Sequence, residues 1–182
     1  SAFGLESTCG VSRYLEEHNI GFDVGVAKVP IVVGAVLFDL AVGNPKSRPN
    51  IEMGYKACEL ASNTELNQGN FGAGCGATVG KIKGIEYSMK GGIGSYSIKL
   101  PNGLVVSALV AVNAFGDVYE NGKVIAGTLD NGKKNILNSY ELMKNGVNKG
   151  GFSIDNTTIG IVATNAKLDK AGCKKVSQMA HN

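Results

Sequence analysis

The sequence has no tryptophan, only two histidines and few charged residues. Charged residues make up 18% of the 182 residues, hydrophobic residues make up 43%, and the formal net charge is +3. This composition excludes a disordered tail and favours a compact, weakly charged globule. The small positive excess argues against a nucleic-acid surface, because no Lys/Arg cluster interleaves with aromatic residues.

Cysteine is also scarce and scattered. Cys9, Cys58, Cys75 and Cys173 form no CxxC pair and have no histidine at ligand spacing, so no metal site is expected. Counting alone leaves a disulfide open, but the sequence contains no recognisable secretory signal, and a reduced cytoplasmic protein is expected. The longest apolar stretches, such as 104–115, are too short to span a bilayer, so no membrane partner is expected.

The shortage of histidine leaves a Ser-His-Asp or Cys-His triad without a base. His18 and His181 fall at predicted helix ends, where capping explains them. Cys75 lies in a glycine-rich loop and is interpreted as a small buried side chain rather than a nucleophile. The same loop, GAGCGATVGK, fails as a phosphate-binding loop, because Cys75 replaces a required glycine and Ile82 replaces the magnesium-binding Ser/Thr.

Glycine is abundant, with 26 residues that concentrate in turns and between residues 69 and 94. Among Val, Ile and Ala runs, so much glycine indicates tight turns between strands and close backbone approaches. Apolar periodicity then predicts an α+β protein. The predicted helices cover 3–18, 50–61 and 169–181, with Asn50 as a helix cap, and the predicted strands cover 29–40, 94–100, 104–113 and 158–164. The turn Pro101-Asn102-Gly103 predicts that the strands 94–100 and 104–113 form a hairpin. Residues 118–151 are predicted to be the least structured part, with a short helix over 136–144.

An enzyme without a well-placed histidine needs another base, and the segment DNTTIGIVATN contains a candidate. Thr157 follows Asn156 where a loop enters a predicted buried strand. If the bond between them breaks, Thr157 gains a free α-amine, which titrates near about 7.7–8 and can serve as a base for the threonine's own hydroxyl. The ordinary alternative is that two consecutive threonines simply favour a strand.

Five blocks occur in order along the chain: SAFGLES with GVSRYLEE, VPIVVGAVLFDLAVG, GNFGAGCGATVGK, LVVSALVAVNAFGDV and NTTIGIVATN. Together they resemble the DmpA-like family of L-aminopeptidase/D-esterases, which includes the nylon-oligomer hydrolases. The resemblance covers residues 1–182 and implies a single domain with a four-layer α/β/β/α sandwich. Family members carry further segments before SAFGL and after AHN, so this chain is expected to be a fragment.

The resemblance also implies the chemistry. It predicts self-cleavage between Asn156 and Thr157 into 1–156 and 157–182, followed by hydrolysis of amide bonds through an acyl-threonine intermediate. Thr157 matches the nucleophile, and Asn113 matches a strand-end asparagine whose amide can stabilise the oxyanion. Lys81 matches a lysine near the nucleophile that could hold down the pKa of the α-amine or position the substrate. Phe38 stands where relatives have a substrate-pocket tyrosine, and later acidic or hydroxyl residues that support the nucleophile lie beyond residue 182.

The substrate expected from the resemblance is a short peptide or a peptide-like amide, with no cofactor and no metal. Processed protomers are expected to form a homo-oligomer, most simply a tetramer. Within enzymes, the alternatives are hydrolysis of unnatural oligoamides or β-peptides, and acetyl transfer of the ornithine acetyltransferase type. Outside enzymes, the alternative is a structural relic that keeps the fold without cutting.

Overall fold

The computed structural model describes residues 1–64, 66–147 and 156–181, and the chain divides into two compact units. The first unit spans residues 1–65 and contains two α-helices and one short hairpin. The second spans residues 66–182 and contains two further α-helices and most of the strands. The chain is therefore an α+β protein, as the sequence predicts.

The two helices of the first unit are α1 (Ser7–Glu17) and α2 (Ile51–Glu59), and they pack together at two glycines. A Cβ atom at Gly10 would lie 1.9 Å from the carbonyl oxygen of Ile51, and one at Gly54 would lie 2.0 Å from that of Ser7. The two helix backbones therefore touch directly, and only glycine permits this approach.

The ends of these helices follow the predicted signals. Asn50 precedes α2, and its Oδ1 accepts a hydrogen bond from the Met53 backbone N–H at 2.9 Å, so the predicted cap is confirmed. At the C-terminal end of α1, His18 Nδ1 lies 2.7 Å from the carbonyl oxygen of Tyr14. This histidine therefore ends a helix, as predicted.

The predicted buried strand over residues 29–40 is wrong. Only β2 (Lys28–Val29) forms, pairing antiparallel with β1 (Phe22–Asp23), and residues 30–39 have no regular secondary structure. Ile31 is 73% exposed and Val33 is 90% exposed. An apolar run indicates a tendency to be buried, but a central strand also needs a neighbour on each edge, and this run pairs with none.

The second unit is built on an antiparallel sheet of three strands. These strands are β5 (Ile93–Lys99), β6 (Val105–Asn113) and β9 (Thr157–Thr164), with β6 in the middle. Ala111 of β6 pairs with Ile93 on one side and with Ile159 on the other. All three strands confirm predicted segments.

The tight connection between β5 and β6 is the predicted Pro101-Asn102-Gly103 turn. The N–H of Leu100 donates to the carbonyl oxygen of Leu104 at 2.8 Å, and Gly103 has φ +84°. A side chain disfavours this backbone conformation, so glycine at this position fixes the turn and with it the register of the hairpin.

Residues 118–147 are more ordered than predicted. They contain a hairpin of β7 (Val118–Glu120) and β8 (Lys123–Ala126), besides helix α3 (Ser139–Lys144) near the predicted position. The missed signal is Asn121-Gly122, whose φ values of +49° and +76° suit a two-residue hairpin turn. Residues 148–151 of the predicted segment lie outside the described residues.

A pair of short strands, β3 (Thr78–Val79) and β4 (Met89–Lys90), packs against the end of β6. Gly91 makes the approach possible, because a Cβ atom there would lie 1.9 Å from the carbonyl oxygen of Val112. The side chains buried at this junction form the apolar centre of the unit: Ala77, Val79, Ile82 and Ala111. This centre fixes β3, and the residues after it, against the end of β6.

Helix α4 (Lys170–Met179) follows β9, and Asp169 caps it by accepting from the Gly172 N–H at 2.7 Å. The predicted closing helix is therefore confirmed. A cleft of about 750 Å³ lies between this helix and one face of the sheet, and Ala108, Val110 and Val162 are among the residues that line it.

Candidate active site

The last residue of β6 and the first residue of β9 lie opposite each other in the sheet. Asn113 pairs with Thr157 at the end of the antiparallel ladder. Residues directly opposite each other point their side chains to the same face, with Cβ atoms about 4.5–5.5 Å apart. The register therefore brings the predicted nucleophile and the predicted oxyanion-binding residue together at one end of the sheet.

The amide of Asn113 is held in one orientation by two hydrogen-bond donors. Its Oδ1 accepts from the Thr78 backbone N–H at 3.0 Å and from Lys81 Nζ at 2.9 Å. An NH2 group in the same place would oppose both donors, so only the oxygen fits there. The NH2 group of the amide is therefore turned away from Thr78 and Lys81.

Lys81 is buried beside this amide, with only 6% of its surface exposed, and Asn113 is 1% exposed. The ammonium group also donates to the backbone carbonyl oxygen of Asn113 at 3.0 Å. A buried ammonium needs hydrogen-bond acceptors to offset its lost hydration, and the two oxygens of Asn113 supply them. The structure thus brings Lys81, Asn113 and Thr157 into one cluster.

The backbone around Lys81 is fixed by the segment that follows β6. The N–H of Lys81 donates to the carbonyl oxygen of Phe115, and the N–H of Gly80 donates to that of Gly116, each at 2.8 Å. Gly80 has φ +71°, and a Cβ atom there would lie 2.0 Å from both the Gly127 carbonyl carbon and the Thr128 nitrogen. The lysine therefore projects from a tightly enclosed strand end.

Thr158 lies on the opposite face of the sheet from Thr157, because successive side chains of a strand alternate. It lines the cleft between the sheet and α4, together with Val110. The register thus separates two threonines that are chemically alike and adjacent in sequence. Thr158 does not face the Asn113 amide.

Other predicted residues lie elsewhere. Phe38 is half-buried and belongs to the first unit, so its place in a substrate pocket stays a prediction. Asn156 directly precedes β9, as the predicted cleavage site requires. The cleavage itself and the catalytic roles of Thr157, Asn113 and Lys81 also stay predictions.

The interpretation of Cys75 as a buried side chain is wrong. The thiol is exposed, and its Sγ donates to the backbone carbonyl oxygen of Asn70 at 3.1 Å. Its neighbours Gly74 and Gly76 are buried instead. The glycine-rich loop turns its glycines inward for close backbone contact and its cysteine outward, a reversal that composition does not reveal.

Thr78 is a site residue that the sequence reasoning missed. It lies in the GATVGK block, and its N–H fixes the orientation of the Asn113 amide. Its Oγ1 also lies 3.4 Å from Asn113 Oδ1. In the sequence, the one feature that could have identified Thr78 as a site residue is its position three residues before Lys81.

Within residues 1–64, 66–147 and 156–181, there is no group of three or more His, Cys, Asp or Glu side chains arranged to hold a metal ion. The helices of the same residues are all too short or too polar to cross a bilayer.

Comparison with known proteins defines the class. The chain matches a family of peptidases along its whole length. It belongs to peptidase family S58, whose sequence model matches residues 1–182. This match confirms the DmpA-like relationship predicted from the sequence.

Individual relatives agree with the family. A protein of Mycobacterium leprae (strain TN), named an uncharacterized aminopeptidase, is 37% identical over all of this chain and 51% of its own length. A protein of the same name from Mycobacterium tuberculosis (strain ATCC 25618 / H37Rv) is 36% identical, over all of this chain and 53% of its own. The 6-aminohexanoate-oligomer endohydrolase of Kocuria sp. (strain KY2) is 25% identical, over all of this chain and 52% of its own. The chain thus spans about half the length of the relatives that it matches.

Proposed function

We propose that this chain carries the nucleophile and the oxyanion-binding residue of a self-processing amidohydrolase that acts as an aminopeptidase on short peptides or peptide-like amides. One observation carries the proposal. Thr157 lies opposite Asn113 in the sheet, and Lys81 and Thr78 hold the oxygen of the Asn113 amide. The Thr157 hydroxyl, the oriented Asn113 amide and the buried Lys81 ammonium are thus grouped at the end of β6.

The first step of the proposed chemistry is self-cleavage. The Oγ1 atom of Thr157 attacks the carbonyl carbon of Asn156, and the acyl group moves from nitrogen to oxygen, which frees the α-amine. Water then hydrolyses the ester, so that Asn156 ends in a carboxylate and Thr157 regains its hydroxyl. The products are fragments 1–156 and 157–182, and the second begins with β9, which stays paired with β6.

Hydrolysis of a substrate then repeats the same chemistry in trans. The α-amine of Thr157 accepts the hydroxyl proton as Oγ1 attacks the substrate carbonyl, and the proton passes to the leaving amine. The NH2 group of Asn113 donates to the oxygen that becomes negatively charged. The ammonium of Lys81 disfavours a second positive charge nearby and so favours the neutral, basic form of the amine. Water releases the acyl group from Thr157.

The wider architecture is part of the same proposal. Residues 1–182 form one domain within a four-layer α/β/β/α sandwich, and Phe38 contributes to the substrate pocket. Processed protomers assemble into a homo-oligomer. The family match and the α+β content support this architecture.

Aminopeptidase activity is favoured over oligoamide hydrolysis by the similarity of the relatives. The two mycobacterial proteins are 36–37% identical and carry the name aminopeptidase, whereas the Kocuria protein is 25% identical. Hydrolysis of 6-aminohexanoate oligomers is the second candidate, because the name of that relative describes it.

The proposal is tested by assaying the purified protein on alanine p-nitroanilide and on a linear 6-aminohexanoate oligomer. We expect release of nitroaniline, loss of this activity in Thr157→Ala, and near-normal activity in Thr158→Ala, whose side chain lies on the other face. Faster cleavage of the oligomer would favour the second candidate. Hydrolysis that survives in Thr157→Ala would contradict the proposed nucleophile, and an uncut chain with no activity would indicate a structural relic.

A further inference from the structure

A buried cluster of polar side chains surrounds Asp117, just after the site strand β6. Asp117 Oδ2 accepts from the backbone N–H of Ser139 at 2.6 Å, and Oδ1 accepts from the Ser139 hydroxyl at 2.5 Å and from the Thr128 N–H at 3.3 Å. The Thr128 and Ser139 hydroxyls lie 2.8 Å apart, and both residues are buried. One carboxylate thus joins three segments of the chain.

The cluster is connected to the site by backbone contacts. The peptide between Gly127 and Thr128, which Asp117 holds, lies against Gly80 so closely that no Cβ atom fits there. The N–H of Gly80 also donates a hydrogen bond to the carbonyl oxygen of Gly116, the residue before Asp117. The Gly80 backbone is therefore clamped between residues 116 and 127–128, and Asp117 closes the clamp.

Lys81 follows Gly80 directly, and its own N–H donates to the carbonyl oxygen of Phe115 at 2.8 Å. Its side chain turns back to Asn113 with its ammonium on both oxygens of that residue. The direction of the lysine side chain depends on its backbone, and the clamp fixes this backbone from both sides.

We propose that Asp117 is a positioning residue, which acts through Gly80 to hold the Lys81 ammonium on Asn113. The inference rests on the proposed function for its effect on catalysis, although the clamp itself does not. Asp117 lies beyond the end of the β6–β9 ladder and takes no part in the proposed chemistry. Its task is to keep Lys81 aligned with the amide that would bind the oxyanion.

The substitution Asp117→Asn preserves the shape of the side chain but weakens the clamp. All three partners of the carboxylate are donors, and the substitution replaces one acceptor oxygen with an NH2 group that is itself a donor. The Thr128 and Ser139 segments are then expected to loosen, and Gly80 loses its support. Lys81 becomes accessible while the rest of the unit stays folded.

Asp130→Asn is a matched control. Asp130 also accepts from a backbone N–H, that of Lys134 at 2.9 Å, and from a side chain, Asn135 Nδ2 at 2.6 Å. The Lys134 N–H first, and then the Asn135 amide, lower the pKa of this carboxyl from its ordinary value. Its hydrogen bonds stay within the turn of residues 130–135 and do not reach Gly80.

The first test does not depend on activity. Brief acetylation of the native protein with acetic anhydride, followed by peptide mass spectrometry, measures the labelling of each lysine against exposed lysines such as Lys99. We expect Lys81 to be protected in the wild type and in Asp130→Asn, and labelled in Asp117→Asn. If Lys81 stays protected in a folded Asp117→Asn protein, the inference is overturned.

The second test is kinetic, on alanine p-nitroanilide. If Lys81 is misplaced by Asp117→Asn, kcat should fall roughly 10–10²-fold with little change in KM, because the affected interaction forms in the transition state. Asp130→Asn should leave both values near those of the wild type. An unchanged kcat despite a labelled Lys81 would overturn the catalytic part of the inference. A wild type without hydrolysis, but with Lys81 labelled only in Asp117→Asn, would instead count against the proposed function and leave the clamp supported.

Discussion

The side-chain amide of Asn113 has an oxygen and an NH2 group, and the two have different tasks in the proposed site. The oxygen accepts from Thr78 and Lys81 and so belongs to the packing of the unit. The NH2 group is the donor that would stabilise an oxyanion. A substitution that keeps an acceptor and removes the NH2 group therefore tests the proposed donor.

Asn113→Asp is such a substitution. An aspartate retains an acceptor for the Thr78 N–H and for the Lys81 ammonium, so it should lower the free energy of unfolding by less than an alanine does. It has no NH2 group and places a carboxylate oxygen there instead, so kcat should fall by at least the roughly 10²–10³-fold that deleting one oxyanion donor causes. Urea unfolding and steady-state kinetics measure the two effects.

Asn113→Ala is the comparison. It removes the donor and also leaves the buried Thr78 N–H and Lys81 ammonium with one acceptor fewer, so it should lower the free energy of unfolding by about 1–3 kcal/mol besides lowering kcat. Near-normal turnover in the aspartate variant would show that Asn113 only supports the fold.

At the scale of single residues, the sequence predicts candidate side chains but not how they meet. The family resemblance predicts Thr157, Asn113 and Lys81, but spacing alone does not place residue 113 opposite residue 157. The register of β6 and β9 does so, and it also separates Thr157 from Thr158. Cys75 was misjudged because the exposure of a loop side chain depends on which neighbours turn inward.

At the scale of secondary-structure elements, residues typical of turns and helix ends predicted the turns and helix ends that form. The Pro-Asn-Gly turn predicted the β5–β6 hairpin, and Asn50 predicted the start of α2. The apolar run at residues 29–40 was misread, because pairing in a sheet depends on partners far away in sequence. The β7–β8 hairpin was missed although its Asn121-Gly122 turn was visible in the sequence.

Gly80→Ala tests the close packing of the strand end that bears Lys81. The left-handed backbone costs an alanine about 1–2 kcal/mol, and a Cβ atom would overlap the Gly127–Thr128 peptide. We expect a total loss in the free energy of unfolding of several kcal/mol, as overpacking adds typically about 1–3 kcal/mol. Denaturant unfolding monitored by circular dichroism provides the measurement.

Gly122→Ala is the matched control, because Gly122 also has positive φ, at +76°, with nothing within 4 Å of its Cβ position. Its free energy of unfolding should fall only by the cost of the left-handed backbone, about 1–2 kcal/mol. Equal losses in the two variants would refute the proposed close contact at Gly80.

At the scale of the whole molecule, the exposed apolar residues of the first unit support the proposed assembly. Val26 is 95% exposed, and Ile31 and Val33 are nearly as open. Contiguous exposed apolar side chains usually mark an interaction surface. We expect the processed protein to be a homo-oligomer, most simply a tetramer, when light scattering is measured during size-exclusion chromatography. A clean monomer at micromolar concentration would remove this expectation.

The α+β class was predictable from apolar periodicity, and the family membership was predictable from the ordered blocks along residues 1–182. The division into two compact units was not predicted, since it depends on contacts between distant residues. The proposed function depends on cleavage of one bond, between Asn156 and Thr157.

The most direct test of the account is the intact mass of the purified protein under denaturing conditions. We expect a new chain that begins at Thr157, in the wild type and in Thr157→Ser, because both retain the hydroxyl that attacks Asn156. Thr157→Ala should remain one uncut chain without hydrolase activity, and Thr158→Ala should be cut normally. A wild-type protein that is uncut at Asn156–Thr157 and still hydrolyses amides would contradict the central claim, because Thr157 would then have no free α-amine.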